Sequence, residues 1–263
     1  MPVFFSSLAK EFGPWSPSKM GVLESCSQKF VWQYVDKPYI PEELKVVEDN
    51  TALVLGSATH KYAELLQSQQ EKFSAQTYAF GEIPKTRTNK LKIKTLVKKV
   101  DSFEERLLSF KNKNNVISDA SELRLGVLPT LRKTDFWDRN SILRGVVDRV
   151  IIVEKNGAKH AIAIDLKTGK CKSIDSYKIQ LESYGILLHA QYDIVSVQPA
   201  IYSTTSGELE WYPRKITKAD LTPDNPVMLQ VNALADTLRD EVTKSKGRHC
   251  SWCKFKNICE KEN

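Results

Sequence analysis

The fold is decided by residues 142–170, which read ILRGVVDRVIIVEKNGAKHAIAIDLKTGK. Two runs rich in Val, Ile and Ala surround Asn156-Gly157, and Asn-Gly between such runs is the strongest short-range signal for a two-residue hairpin turn. If these two residues form the loop, the register of both strands is fixed. Counting back from the turn along both strands places Asp148 directly opposite Asp165. The sequence therefore predicts an antiparallel hairpin with two facing carboxylates.

Two facing carboxylates repel each other, and this indicates a metal site. Directly opposed side chains have Cβ atoms about 4.5–5.5 Å apart, and like charges in that arrangement are destabilising. A divalent cation bound by both would relieve the repulsion, and Mg2+ and Mn2+ prefer such oxygen ligands. Because side chains alternate along a strand, Lys167 shares the face of Asp165. Its ammonium group would orient water or stabilise charge on a phosphate.

The alternative interpretation is that these are ordinary charged residues of solvated strands. An acidic residue followed two positions later by Lys is weak evidence by itself, since Glu43 and Lys45 form the same pattern in a loop-like segment. The facing Asp148 favours the metal site, because Asp is depleted in strands and its neighbours are Val and Ile. With such a site, we expect that replacing Asp148 with Asn lowers stability little in the absence of metal.

Composition bounds the class of protein. The 263 residues, 41% of them hydrophobic, can bury a substantial core as one large domain or a core with a subdomain. No run of 18 apolar residues exists, and the first residues do not resemble a signal peptide, so we expect a cytoplasmic protein without a membrane partner. A formal net charge of +7 favours a polyanionic partner, and nucleic acid is the first hypothesis.

Periodicity divides the rest of the chain into helices and strands. Helical patterns cover 16–35, with Cys26 on the apolar side, and also 52–69, 90–110, 173–191 and 226–244. Strand patterns cover 120–128, 142–154, 160–168, 193–203 and 208–214, and the polar residues 72–90 resemble a loop. These elements predict an α/β protein in three parts: an N-terminal helical region over 1–115, a core built on the strands over 116–225, and a C-terminal helix with a cysteine cluster over 226–263.

Several motifs, in this order along the chain, resemble those of the RecB-like branch of the PD-(D/E)XK nucleases. They are Gly56-Ser-Ala-Thr-His60, Glu122, Gly145-Val-Val-Asp148-Arg149, Asp165-Leu-Lys167-Thr168-Gly169 and Gln180-Leu-Glu-Ser-Tyr184. The resemblance implies a restriction-endonuclease-like fold, in which helices flank a mixed β-sheet core.

The resemblance also implies roles for these residues. His60, Asp148, Asp165 and the backbone carbonyl of Leu166 would bind Mg2+ or Mn2+, and Lys167 would be the catalytic lysine. Glu122, Gln180 and Tyr184 would complete the catalytic set. Gln180 and Tyr184 are one helical turn apart and share a face, so both can reach DNA or the active-site lysine.

The cysteines form a second pattern, Cys250-Ser-Trp-Cys253-Lys-Phe-Lys-Asn-Ile-Cys259, with Cys26 far away in sequence. Thiolate ligands suit zinc or an iron–sulfur cluster, and unliganded thiols in a loose tail are the alternative. The arrangement resembles the iron–sulfur clasp of AddB-type and CRISPR-adaptation nucleases of the RecB-like branch. That resemblance implies a C-terminal [4Fe–4S] clasp joined to Cys26, with a structural role. Cys171 falls outside the pattern.

Together these features predict a metal-dependent DNA exonuclease acting on single strands or duplex ends in recombination, repair, or phage or CRISPR DNA processing. The alternatives are a DNA endonuclease and a catalytically silent scaffold that binds DNA ends. A helicase or recombination protein would be a further partner, and oligomeric state is left open. The candidates for holding phosphates are lysines at 90, 92, 94, 98, 99, 170, 172 and 178. Trp15, Trp137, Trp211 and Trp252 could stack on bases, although core or cap packing is the first interpretation for each.

Overall fold

The computed structural model of the chain describes residues 4–46, 51–239 and 242–261. Within them lies a seven-stranded mixed sheet in the order β2-β1-β3-β4-β5-β6, with β7 pairing to β5. The strands are β1 (Val116–Val127), β2 (Lys133–Thr134), β3 (Leu143–Lys155), β4 (Ala158–Lys167), β5 (Ser196–Ser203), β6 (Glu208–Trp211) and β7 (Ile216–Thr217). Only β4 and β5 pair in parallel, because a helical crossover joins them.

Helices cover both faces of this sheet. They are α1 (Ser7–Glu11), α2 (Pro17–Ser25), α3 (Ser27–Tyr34), α4 (Thr51–Gln67), α5 (Lys72–Phe80), α6 (Arg87–Lys113), α7 (Lys178–Gln191), α8 (Pro226–Thr237) and α9 (Lys256–Lys261). One apolar core lies between the sheet and α1–α3, α7 and α8, and a second lies between the sheet and α4–α6. The mixed α/β architecture predicted from the sequence is confirmed, whereas its division into three parts stays a prediction.

The predicted loop over residues 72–90 is wrong, because this segment contains α5 and the start of α6. The Glu71 carboxylate caps α5 by accepting from the amides of Phe73 and Ser74, at 2.9 and 2.8 Å. Phe80 is buried in the second core. With nine residues, α5 is too short for hydrophobic periodicity to reveal it, and its stability comes from capping and from burial against the core.

The single helix predicted over 16–35 is two helices, which meet at Cys26. Cys26 has extended backbone angles, φ −169° and ψ 116°, and its sulfur accepts from the amide of Lys29 at 3.4 Å. The next turn bonds to the C-terminal segment, since the amide of Gln28 donates to the carbonyl of Thr243 at 3.2 Å. Cys26 therefore lies at a helix break that faces the C-terminal segment, and not inside a helix.

The remaining element boundaries differ modestly from the predictions. The last long helix ends at Thr237 and not near residue 244. The helix predicted from 173 begins with a 3-10 turn at Ile174–Tyr177, and β7 was not predicted. Among the described helices, none combines the length and apolar character that a membrane span requires.

Candidate metal centre

The hairpin at the centre of the sheet has the register that Asn156-Gly157 predicts. Both turn residues have positive φ, 53° and 76°, as a type I′ turn requires. Paired residues run from Lys155 opposite Ala158, next to the turn, without a shift along β3 and β4. The prediction of a two-residue hairpin is confirmed.

The ladder stops one pair short of Asp148 and Asp165, so the prediction of directly paired carboxylates needs correction. Pairing between β3 and β4 ends at Arg149 and Ile164, one position before Asp148 and Asp165. Asp148 instead accepts a hydrogen bond through Oδ2 from the backbone amide of Leu166, at 2.6 Å. Where β3 and β4 separate, the Asp148 carboxylate accepts from the Leu166 amide in place of a backbone carbonyl of β3.

Asp148 belongs to a cluster with His60 of α4 and Glu122 of β1. His60 Nδ1 lies 3.3 Å from Asp148 Oδ1 and 3.4 Å from Glu122 Oε1. One ligand atom from each of the three residues lies within 4.8 Å of the others, at intermediate burial. A nitrogen and two carboxylate oxygens at this spacing form a cluster that can bind a divalent cation.

The backbone brings Glu122 into this cluster. Pairs on either side, Ser121 with Arg149 and Leu123 with Val147, put Glu122 across from Asp148 in the β1–β3 ladder. Glu122 has φ 51°, a left-handed conformation that is uncommon for a residue with a side chain. Such irregularities re-aim side chains near sites, and periodicity cannot predict them.

In the absence of metal, a proton on His60 balances part of this negative charge. Burial lowers the pKa of His60, but hydrogen bonds with Asp148 and Glu122 and the charges of both outweigh it and raise that pKa to about 10. At neutral pH the imidazole is therefore a cation between two carboxylates.

A close approach of α4 to the end of β4 lets His60 reach the sheet. Gly56 lies one helical turn before His60, and a Cβ atom at Gly56 would be 3.2 Å from Thr168 Oγ1. A side chain at position 56 would require Thr168 or α4 to shift by a few tenths of an ångström. Beside the cluster is an open cavity of about 660 Å3, lined in part by His60, Glu122, Arg124 and Thr168.

Asp165 lies in a second cluster, next to the first. It is 2% exposed, and its Oδ2 lies 2.7 Å from Lys167 Nζ. Its Oδ1 accepts from Gln180 Nε2 at 2.6 Å and from the Tyr184 hydroxyl at 2.7 Å, and both donors belong to α7. Lys167 Nζ also donates to Gln180 Oε1 at 3.0 Å.

The buried carboxylate of Asp165 is electrostatically strained. Burial, and then the charge of Asp148, raise the pKa of Asp165 to about 6, although Lys167 and Tyr184 act in the opposite direction. Burial and the two aspartates also raise the pKa of Tyr184 well above its usual value. Tyr184 thus remains a hydrogen-bond donor to Asp165 at neutral pH.

Sequence reasoning missed the ion network directly behind Asp148. The guanidinium of Arg149, 1% exposed, lies 2.6 Å from Asp119 Oδ1 and 3.1 Å from Glu104 Oε2, and donates to Ser121 Oγ at 2.9 Å. Arg149 was part of a recognised motif, but its partners come from α6 and β1 and have no local signal in the sequence. This network ties α6 to the two strands that carry Glu122 and Asp148.

Four of the five cysteines lie around one cavity of about 480 Å3. They are Cys26, Cys250, Cys253 and Cys259. Burial raises the pKa of the Cys259 thiol, and the other three thiols act on it in the same direction. Cys171 lies elsewhere, against the first core.

Comparison with known proteins supplies the family. No curated protein matches the chain. One solved structure, described as "Crystal structure of SSO0001", is 11% identical, covers 92% of this chain and 96% of its own, and has a TM-score of 0.34, too low to support an argument. A family model of the PD-(D/E)XK nuclease superfamily matches residues 14–260, a span that includes both clusters. The chain therefore belongs to the PD-(D/E)XK nuclease superfamily.

Proposed function

We propose that the chain is a Mg2+- or Mn2+-dependent deoxyribonuclease of the RecB-like branch that hydrolyses phosphodiester bonds at DNA ends. The observation that carries this proposal is the contact between two clusters: His60, Glu122 and Asp148 on one side, and Asp165 with Lys167 on the other. Leu166 connects them, because its amide donates to Asp148 and it lies between Asp165 and Lys167 in sequence.

The residues present fit a divalent cation. Two carboxylates, Asp148 and Glu122, meet near the His60 imidazole, and in the absence of metal they raise its pKa. We propose that His60, Asp148 and Asp165, with the carbonyl of Leu166, hold the cation, and that Glu122 contributes from β1. A bound divalent cation acts as a Lewis acid and lowers the pKa of bound water.

The other side chains would position the reacting groups. Lys167 Nζ contacts Asp165 and Gln180 and lies 5.1 Å from the centre of the Tyr177 ring. This fixed ammonium group would orient the attacking water or stabilise charge on the phosphate. Gln180 and Tyr184 bond to Asp165 in the metal-free state and would hold its carboxylate in place as positioning residues.

A cleavage assay on four linear substrates and one circular substrate tests this function. Single-stranded and duplex DNA, each labelled at the 5′ or 3′ end, are incubated with Mg2+, Mn2+ or chelator, alongside a covalently closed single-stranded circle. We expect metal-dependent release of short products from linear DNA and an intact circle. A cut circle would indicate an endonuclease, and binding without cleavage would indicate a silent scaffold.

Lys167→Met tests whether the cleavage belongs to this site. Lys159→Met is the matched control, because Lys159 lies on the same strand, exposed, near the hairpin turn. We expect Lys167→Met to abolish cleavage while DNA binding persists, since peripheral cations carry most affinity. Equal activity in both variants would assign the reaction to other residues.

We also propose that Cys26, Cys250, Cys253 and Cys259 bind a [4Fe–4S] cluster as a structural clasp. Four thiolates around one zinc ion at about 2.3 Å would be about 3.8 Å apart. Within the described part of the chain, His60, Glu122 and Asp148 are the one group of three potential ligands within 4.8 Å, so no three cysteine sulfurs lie that close. Thiols without a bound metal do not keep the spacing of a loaded site, so the choice of [4Fe–4S] over zinc rests on the resemblance of the cysteine pattern to the clasp of AddB-type nucleases.

Metal analysis of anaerobically purified protein tests the clasp. We expect about four iron and four acid-labile sulfide per chain, as such a cluster contains. Cys26→Ser should bleach the visible absorption, and Cys171→Ser, outside the cavity, should leave it unchanged. Stoichiometric zinc without sulfide would overturn the assignment.

The broader setting remains part of the proposal. We propose the three-part organisation over 1–115, 116–225 and 226–263, with the clasp joining the first and last parts. Action in recombination, repair, or phage or CRISPR DNA processing, with a helicase or recombination partner in the cytoplasm, follows from the resemblance of the motifs.

A further inference from the structure

The ribbon formed by β1 and β3 extends well past the metal cluster. Pairing of β3 with β4 ends at Arg149, but pairing of β3 with β1 continues to Leu143 opposite Val127. From Asp148 to Leu143 is five residues, which at about 3.4 Å each span roughly 17 Å. The connection at residues 128–142, called the projection below, therefore lies at the end of the sheet at which Asp148 and Lys167 lie, and it includes β2, which folds back along Gly126 and Val127 of β1.

Local hydrogen bonds fix the shape of this projection. Asp135 Oδ1 accepts from the amide of Trp137 at 2.7 Å, and Asp138 Oδ1 accepts from the amide of Asn140 at 2.8 Å. At its base, the buried Ser141 hydroxyl lies within hydrogen-bond distance of the carbonyls of Val127 and Leu143. The projection thus has a defined conformation, and both of its carboxylates accept hydrogen bonds from its own backbone.

The projection presents aromatic rings and positive charge together. The Trp137 side chain is 69% exposed, and its ring packs edge to face on Phe136, with 4.9 Å between ring centres. The Arg144 guanidinium lies 5.3 Å from the centre of the Phe136 ring. Residues 128–144 contain four cations, Arg132, Lys133, Arg139 and Arg144, against the two carboxylates of Asp135 and Asp138.

We propose that Trp137 stacks on an unpaired base of the DNA strand that enters the metal centre, so that the substrate is single-stranded or a frayed duplex end. This inference rests on the proposed nuclease function. An aromatic ring on a fixed support beside phosphate-binding cations is how proteins hold single strands. Paired bases in a duplex interior hide their faces from such a ring, so stacking selects unpaired DNA. The net positive charge favours a polyanion over a basic or apolar protein surface, and the exposed aromatic ring beside these cations suits the bases of a nucleic acid.

Binding measured in chelator tests stacking separately from cleavage. The full-length chain is titrated into a fluorescent single-stranded oligonucleotide and, as the closed duplex, into a covalently closed circular duplex that has no free ends. A second set carries 2-aminopurine at successive positions, because its fluorescence reports stacking directly. Loss of one stacked base weakens binding about five- to hundredfold.

Trp137→Ala should weaken single-strand binding about five- to hundredfold and abolish the change in 2-aminopurine fluorescence on binding, with little effect on binding of the closed duplex. Trp137→Tyr should retain most of the single-strand affinity and most of the fluorescence change. The matched control is Trp211→Ala, because Trp211 is 48% exposed on β6, at the opposite edge of the sheet from β2. Thermal melts should show that both alanine variants fold.

Unchanged single-strand binding in Trp137→Ala would overturn the inference, and metal-dependent cleavage by the same preparation would leave the nuclease function standing. Conversely, Trp137-dependent binding without cleavage in any metal would overturn the nuclease function alone. Sedimentation supplies a further outcome: if Trp137→Ala dissociates an oligomer and leaves DNA binding unchanged, the projection is a protein contact and the inference is wrong.

Discussion

Replacing Arg149 with Met should destabilise the protein strongly, although Met fills a similar apolar volume. The Arg149 guanidinium is buried between Glu104 and Asp119, with contacts from 2.6 to 3.3 Å. Their side chains are only 16% and 13% exposed. The substitution removes the shared cation and leaves two carboxylates close together in a poorly solvated space.

The loss in free energy of unfolding depends on which partners Glu104 and Asp119 keep in the variant. Removing one partner of a buried ion pair costs about 3–5 kcal/mol. Asp119 keeps Lys111, whose Nζ lies 2.8 Å from its Oδ2, and this limits the loss. Burial already raises the pKa of Glu104 even with Arg149 present, so that carboxyl can take up a proton in the variant. We therefore expect about 3 kcal/mol at neutral pH, which lowers Tm by roughly 6–12 °C for a chain of this size.

Urea unfolding followed by circular dichroism measures this loss. Adding Glu104→Gln to Arg149→Met should restore part of the stability, because one unpaired carboxylate is gone. Lowering the pH to about 5 should also narrow the gap between Arg149→Met and wild type, since Glu104 takes up a proton more readily. A loss below about 1 kcal/mol at neutral pH, or a gap that widens on acidification, would refute the view that Arg149 compensates buried charge.

Three further predictions concern the metal centre. In chelator, protonated His60 stabilises the folded state fully below about pH 6.5, and this stabilisation is lost as the pH rises to about 10, because only the folded state keeps the proton in that range. Thermal melts of wild type should show a free energy of unfolding that falls by up to about 1.4 kcal/mol per pH unit, and His60→Gln should remove this slope. Asp148→Asn should destabilise the metal-free protein, because protonated His60 and the Leu166 amide both lose a charged acceptor. The sequence alone predicted little loss of stability, and thermal melts in chelator that show a variant as stable as wild type would support that earlier expectation. Gly56→Ala should weaken Mn2+ binding in calorimetry by displacing α4 from Thr168, whereas Gly21→Ala, where a Cβ atom meets no neighbour within 4 Å, should leave it unchanged.

The sequence predicted best what local chemistry determines. The turn at Asn156-Gly157 set the register of β3 and β4, because only residues that tolerate positive φ close a type I′ hairpin. Long helices with a clear apolar face, such as α4 and α6, were also predicted to within a few residues of their ends.

Features that depend on distant segments were not predictable in this way. The helix break at Cys26 faces Thr243, more than 200 residues later, and no periodicity reveals it. The missing Asp148–Asp165 pair has a similar origin, since His60 and Leu166 bond to Asp148 where the ladder would have continued. The positive φ of Glu122 is likewise set by the β1–β3 ribbon and not by its own residue type.

The two positively charged side chains of the site, Lys167 and protonated His60, differ in whether a metal ion must displace their charge. Lys167 bonds to Asp165 Oδ2 and to Gln180, so a metal ion held by His60, Asp148 and Asp165 would share the Asp165 carboxylate with this ammonium group and need not displace it. The His60 proton faces the same two carboxylates that a metal would bind, so it must leave first. Metal affinity should therefore increase with pH up to about 10, with close to one proton released per ion, while the ammonium group beside Asp165 stays in place.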